Sequence, residues 1–161
     1  MNDILLQSEP STASHIYGNL WMGSAPPIGW GVAKHFDHLI LSAIEYQLPN
    51  DCFPGVEVLN APMNDNGSPM TISEMQIAVQ TAGKVIRRLM DGRRVLVTCR
   101  QGRNRSGIIT ALSLCMGLPK MSPSQAINRI RQARGQGAMV NKYFVKFLHE
   151  FCVRSKVLES R

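Results

Sequence analysis

The chain has no uninterrupted apolar run of the length a membrane-spanning helix needs, about 18 to 20 residues, so a transmembrane helix is not expected. Aromatic residues are scarce, at 6%, and no recognised nucleic-acid motif accompanies them. A nucleic-acid-binding role would therefore rest on charge alone. Cysteines number four (Cys52, Cys99, Cys115, Cys152), with no C-x-x-C pair and no clustering with His15, His35, His38 or His149. That spacing argues against a zinc site or a disulfide framework, and each cysteine reads by default as a small buried apolar residue in a reducing compartment. There are no repeats and no low-complexity tracts.

What is present fits one globular domain spanning 1–161: 161 residues, 44% hydrophobic and 18% charged, enough to bury a substantial core without metal or disulfides. The opening stretch MNDILLQSEPST carries Asp3 and Glu9 and lacks the basic start and long apolar core of a secretion signal, so the expected location is cytoplasmic. Charge is distributed unevenly. Seventeen of the eighteen bases lie beyond residue 80, against three of the eleven acids. The second half thus builds a positive field suited to an anionic partner, although outlying residues such as Arg154, Lys156 and Arg161 fit a solvated basic face.

Along the chain, SHIYGNLWMGSAPP reads as a short strand pair ended by Pro26 and Pro27, and Val32 to Phe36 as a short amphipathic piece. HLILSA, VEVLNAPM and RVLVTC read as strands, the last fully buried and running into Cys99. NDNGSP is a surface loop containing Asp65, since it clusters turn formers. Thr71 to Met90 is predicted helical, with TISE as a capping box and Met75, Val79, Ala82, Ile86 and Leu89 at helical spacing. SGIITALSLCMG, apolar nearly all round, reads as a buried helix. Two more helices are expected, one from Ser122 to Gly135 and one from Asn141 through Phe151. Strands interleaved with helices predict an α/β fold with a central mixed β-sheet flanked by helices.

Between the most buried strand and the buried helix lies C-R-Q-G-R-N-R-S, Cys99 to Ser106. A short loop entering a helix N-terminus presents successive N–H groups, with Gly102 permitting a tight turn. Arg105 can reach back and grip two phosphate oxygens with its planar fork. The same groups favour the thiolate of Cys99 and make it a nucleophile aimed at phosphorus. The bland alternative is a core cysteine followed by a solvated Arg-rich loop.

VTCRQGRNRSG resembles the signature loop of the cysteine-dependent protein tyrosine phosphatases, and the short chain resembles their small dual-specificity branch. NLWMGSAPP, APMNDN, MSPSQAINRIRQAR and VNKYFVKFL are similar to further segments of that family, in the family's order, over roughly residues 14–150. The resemblance implies a protein tyrosine phosphatase-like fold with Cys99 as nucleophile and Arg105 binding the phosphate and its transition state. It implies a cradle of N–H groups from Arg100, Gln101, Gly102, Arg103, Asn104 and Arg105, and a Ser106 hydroxyl donated to the sulfur. Asp65 would be general acid and then base. Asp51 and Asp91 are rivals with adequate structural explanations in turns. Asn141 would support the signature loop, while its own position reads as a helix N-cap. No metal or other cofactor is implied, since loop and arginine supply the electrostatic stabilisation. One departure is Thr98, which stands where the family has histidine. A hydroxyl there can support the loop in part but cannot replace the imidazole.

The implied activity is hydrolysis of phosphotyrosine and phosphoserine/threonine on proteins. Arg100 and Arg103 keep open a polyanionic substrate, a phosphoinositide or RNA 5′-triphosphate, and a non-catalytic phosphate-binding module is a further alternative. Cys52, Cys115 or Cys152 could pair with Cys99 under oxidation.

Overall fold

The computed structural model describes residues 3–5, 12–28 and 31–159. Six strands form one sheet: β1 (Asp3–Leu5), β2 (Thr12–Tyr17), β3 (Leu20–Ser24), β4 (His38–Ala43), β5 (Glu57–Met63) and β6 (Val95–Cys99). Four helices accompany them: α1 (Ile72–Met90), α2 (Arg105–Gly117), α3 (Pro123–Arg134) and α4 (Lys142–Glu159). The sheet order is β1-β2-β3-β6-β4-β5, antiparallel from β1 to β3 and parallel from β3 to β5. The expected mixed sheet is therefore present. β1, three residues paired only with β2, adds a strand the sequence did not announce.

The central strands β4 and β6 are mainly apolar and buried along their whole length because both faces of the sheet are covered. Side-chain alternation divides them. Ile40, Val95 and Val97 face a core built with α1, α2, α3 and α4, whereas Leu39, Leu41 and Leu96 face a smaller cluster with Val32, Phe36, Phe53 and Val56. The α-helices thus lie on one face. The other is closed by two 3-10 turns, Val32–Lys34 and Asn50–Cys52, and the chain around them. Among the described residues, no helix is long and apolar enough to cross a membrane.

Local chemistry sets the helix boundaries. Thr71 accepts from the N–H of Glu74, whose carboxylate accepts the N–H of Thr71, a complete capping box that starts α1. Ser122 and Gln125 repeat the device for α3, with Pro123 in its first turn. β6 lies between its parallel neighbours β3 and β4, so its carboxyl end, at Cys99, opens into the crevice where such sheets bind ligands.

Candidate active site

Cys99 ends β6 and is 4% exposed; the loop beyond it turns into α2 at Arg105. Gly102 adopts φ +67°, and a Cβ there would stand 2.5 Å from the carbonyl carbon of Gly23. Only glycine fits this turn. The loop carbonyls are drawn outward: Arg100 O accepts from Ala25 N, Gln101 O and Gly102 O from the guanidinium of Arg134, and Arg103 O from Met139 N. In a trans peptide the N–H points opposite to the C=O, so the N–H groups of Gln101, Gly102, Arg103 and Asn104 face inward. The loop is held from outside by α3 and the 138–141 segment. Met139, itself at φ +55° and fully buried, is locked by its bond to the loop and by Arg131, which donates to its carbonyl.

Ser106 Oγ stands 3.2 Å from Cys99 Sγ, on the first turn of the buried helix. Arg105 is buried as well, 7% exposed, and its five N–H donors can be counted. Glu45 accepts from Nη1 and Nη2 at 2.5 Å each, and Met63 O accepts from Nη1 at 3.1 Å. That leaves the Nε hydrogen and the second Nη2 hydrogen, which lie parallel on one edge of the fork. Nε has no hydrogen-bond partner among the described residues although it is fully buried. Buried donors are normally satisfied, so this edge is built for an anion. The Arg105 guanidinium in turn holds the Glu45 carboxyl below its ordinary range.

Asp65 sits on the loop after β5. Its Oδ2 accepts from Asn104 Nδ2 at 3.1 Å and its Oδ1 from Asn141 Nδ2 at 2.7 Å. Asn141 also caps α4 through Oδ1, which accepts from Tyr143 N and Phe144 N. Its contact with the signature loop is made by its backbone N–H, which donates to Asn104 Oδ1, so the side chain serves Asp65 rather than the loop. Thr98 is fully buried and donates to Ile40 O at 2.7 Å, with Ser42 donating to Thr98 O at 2.6 Å. Its hydroxyl joins β6 to β4.

Cys99, Arg105, Asp65, Asn104, Arg100, Gln101 and Arg103 line one cavity of about 350 Å³, together with Glu45. Larger concavities exist, one of about 620 Å³ beside Tyr17, Met121 and Arg129, but no cysteine lines them. Asp91, the C-cap of α1, and Asp51, in a 3-10 turn, do not line the Cys99 cavity. Glu45 and Arg134 are the site residues the sequence reading missed. Glu45 lies two residues after β4, which pairs with β6, and so falls at the same sheet edge as Cys99. Of the remaining cysteines, Cys115 on α2 and Cys152 on α4 neighbour each other, and a hydrogen bond with Cys152 and burial push the Cys115 thiol up.

No protein-family model matches the chain. It is 32% identical over 111 residues to cyclin-dependent kinase inhibitor 3 of Rattus norvegicus, a match covering 66% of this chain and 50% of the relative. The chain spans about half the length of the curated relatives it matches. Among solved structures it is similar to a mutant form of Tk-PTP, at 25% identity and TM-score 0.77, covering 90% of this chain and 97% of that one. Kinase associated phosphatase with its catalytic site cysteine substituted by serine shares the fold at TM-score 0.72 and 20% identity, covering 92% and 97%.

Proposed function

Because the chain has the fold of the cysteine-dependent protein tyrosine phosphatases and resembles their small dual-specificity branch, we propose that it hydrolyses phosphomonoesters on proteins, at phosphotyrosine and at phosphoserine or phosphothreonine. One observation carries the reading: the Cys99 sulfur lies beside the Ser106 hydroxyl, and the cavity that Cys99 lines is shared with buried Arg105, whose Nε has no partner among the described residues.

In the first step the Cys99 thiolate attacks phosphorus, the bond from phosphorus to the ester oxygen breaks, and Asp65 gives its proton to the departing oxygen. The inward N–H groups and the Nε edge of Arg105 hold the three remaining phosphoryl oxygens as charge spreads onto them. In the second step water attacks the cysteinyl-phosphate while ionised Asp65 takes its proton. Inorganic phosphate leaves, and the sulfur departs as a thiolate that accepts a hydrogen bond from Ser106. A phosphoprotein substrate is in keeping with the similar proteins, one a cyclin-dependent kinase inhibitor and one a kinase associated phosphatase. The four free cysteines suit a reducing compartment, and a cytoplasmic location belongs to the same proposal.

The test is hydrolysis of an aryl phosphate in EDTA by the wild type, Cys99→Ser and Asp65→Asn. Turnover abolished by the first substitution and lowered by the second supports the mechanism. Binding of phosphate analogues without turnover in any of the three proteins would replace it with a binding module.

A further inference from the structure

Asn104 occupies the N-cap position of α2, where asparagine ordinarily accepts a hydrogen bond from the first turn, yet its side chain makes no such bond. The amide is committed elsewhere. Its oxygen accepts the N–H groups of Val140 and Asn141 at 2.9 and 3.1 Å, and its nitrogen donates to Asp65. Asn141 approaches from the other side, its nitrogen on the second Asp65 oxygen and its own oxygen occupied by capping α4. Each amide is therefore oriented by backbone N–H groups that fix which end is oxygen, and each is left with its NH₂ directed at the carboxylate. The loop that carries Asp65, residues 64–69, is exposed and rich in turn formers; Asn64 N donates to Glu74 at its start, and the two asparagine bonds hold the carboxylate itself.

We infer that Asn104 and Asn141 are positioning residues that dock Asp65 over the signature loop, placing its proton where the leaving-group oxygen departs. The inference rests on the phosphatase reading and assigns the Asn104 side chain a role separate from the phosphate cradle, to which only its backbone belongs. Forgoing the N-cap bond also leaves the first N–H groups of α2 without competition from a local side chain, in keeping with a helix terminus used for an anion.

The discriminating experiment measures kcat/KM for a series of aryl phosphates running from good to poor leaving groups, with the wild type, Asp65→Asn, Asn104→Ala and Asn141→Ser. Serine retains the capping function at 141 and removes only the donor to Asp65. A well-placed general acid makes the rate nearly independent of the leaving group, and its loss weighs on the poor ones. Both asparagine variants are expected to lose about tenfold with the poorest leaving group and under about threefold with the best, the loss of one hydrogen bond to a charged partner. A uniform loss across the series would make the asparagines a scaffold for the loop and overturn the inference, as would no loss. If Asn104→Ala does not fold, Asn141→Ser decides by the same criterion. Should Asp65→Asn itself leave the dependence on leaving group unchanged, the assignment of Asp65 as acid fails, an outcome separate from failure of the asparagine roles.

Discussion

Glu45 accepts from both Nη1 and Nη2 of Arg105, while the Nε of the same guanidinium, fully buried, has no hydrogen-bond partner among the described residues. Glu45 uses the Nη1–Nη2 edge of the planar group, so the carboxylate orients the arginine without taking the Nε edge that an oxyanion would need.

Replacing Glu45 by Gln keeps one acceptor and adds a donor facing the guanidinium. We predict a fall of about tenfold in kcat/KM and weaker inhibition by phosphate-like oxyanions, with Glu45→Asp intermediate. Steady-state kinetics with vanadate inhibition would check it; unchanged inhibition would show that Arg105 needs no such orientation. Because Arg105 lowers the Glu45 pKa, the grip is complete above the ordinary carboxylate range and is lost as pH falls through that lowered value.

Arg134 and Gly102 form the outer wall of the cradle. Arg134→Ala frees the carbonyls of Gln101 and Gly102 to rotate, and we expect roughly tenfold weaker oxyanion binding from the loss of charged hydrogen bonds. Gly102→Ala forces a Cβ onto the Gly23 backbone and strains a positive φ, so activity should fall further and stability by about 1–3 kcal/mol. Calorimetry beside the kinetics separates the two effects.

Asp37 ties the start of β6 to β4, accepting from Arg94 through its side chain and its backbone N–H. Those bonds hold its carboxyl down to about 2 from an ordinary 3.8. An unfolded chain takes up the proton first, so the stabilisation is full above about pH 4 and disappears as pH falls towards 2. The pair is partly exposed, which limits its worth to about 1 kcal/mol. Chemical denaturation of Asp37→Asn and wild type should differ by that amount at pH 6 and converge near pH 2.

Thr98 is positioned to stabilise the sheet. Thr98→Val removes its donor to Ile40 O while keeping size and strand preference, and should cost about 1 kcal/mol in urea denaturation. A variant as stable as the wild type would remove that role.

Much of this architecture was legible in the sequence because the signals are local. HLILSA and VLVTC are mainly apolar runs, TISE writes its own helix start, and Cys99, Arg105 and Ser106 share one eight-residue stretch. Asp65 could be singled out because turn formers surround it. Glu45 could not, since it meets Arg105 across 60 residues and resembles any solvated acid. Arg134 lies near the end of a helix, where a cation is expected for the dipole alone, so its hold on the signature loop has no sequence signature. β1 was missed because three residues pairing with a single neighbour leave too short a pattern.

The most direct measurement is to quench the Asp65→Asn protein in acid during turnover of a labelled aryl phosphate and to map the bound phosphoryl group by mass spectrometry. The account predicts one phosphoryl group on Cys99, absent from Cys99→Ser. Turnover with no phosphoryl-enzyme, or with the group on another residue, would contradict it.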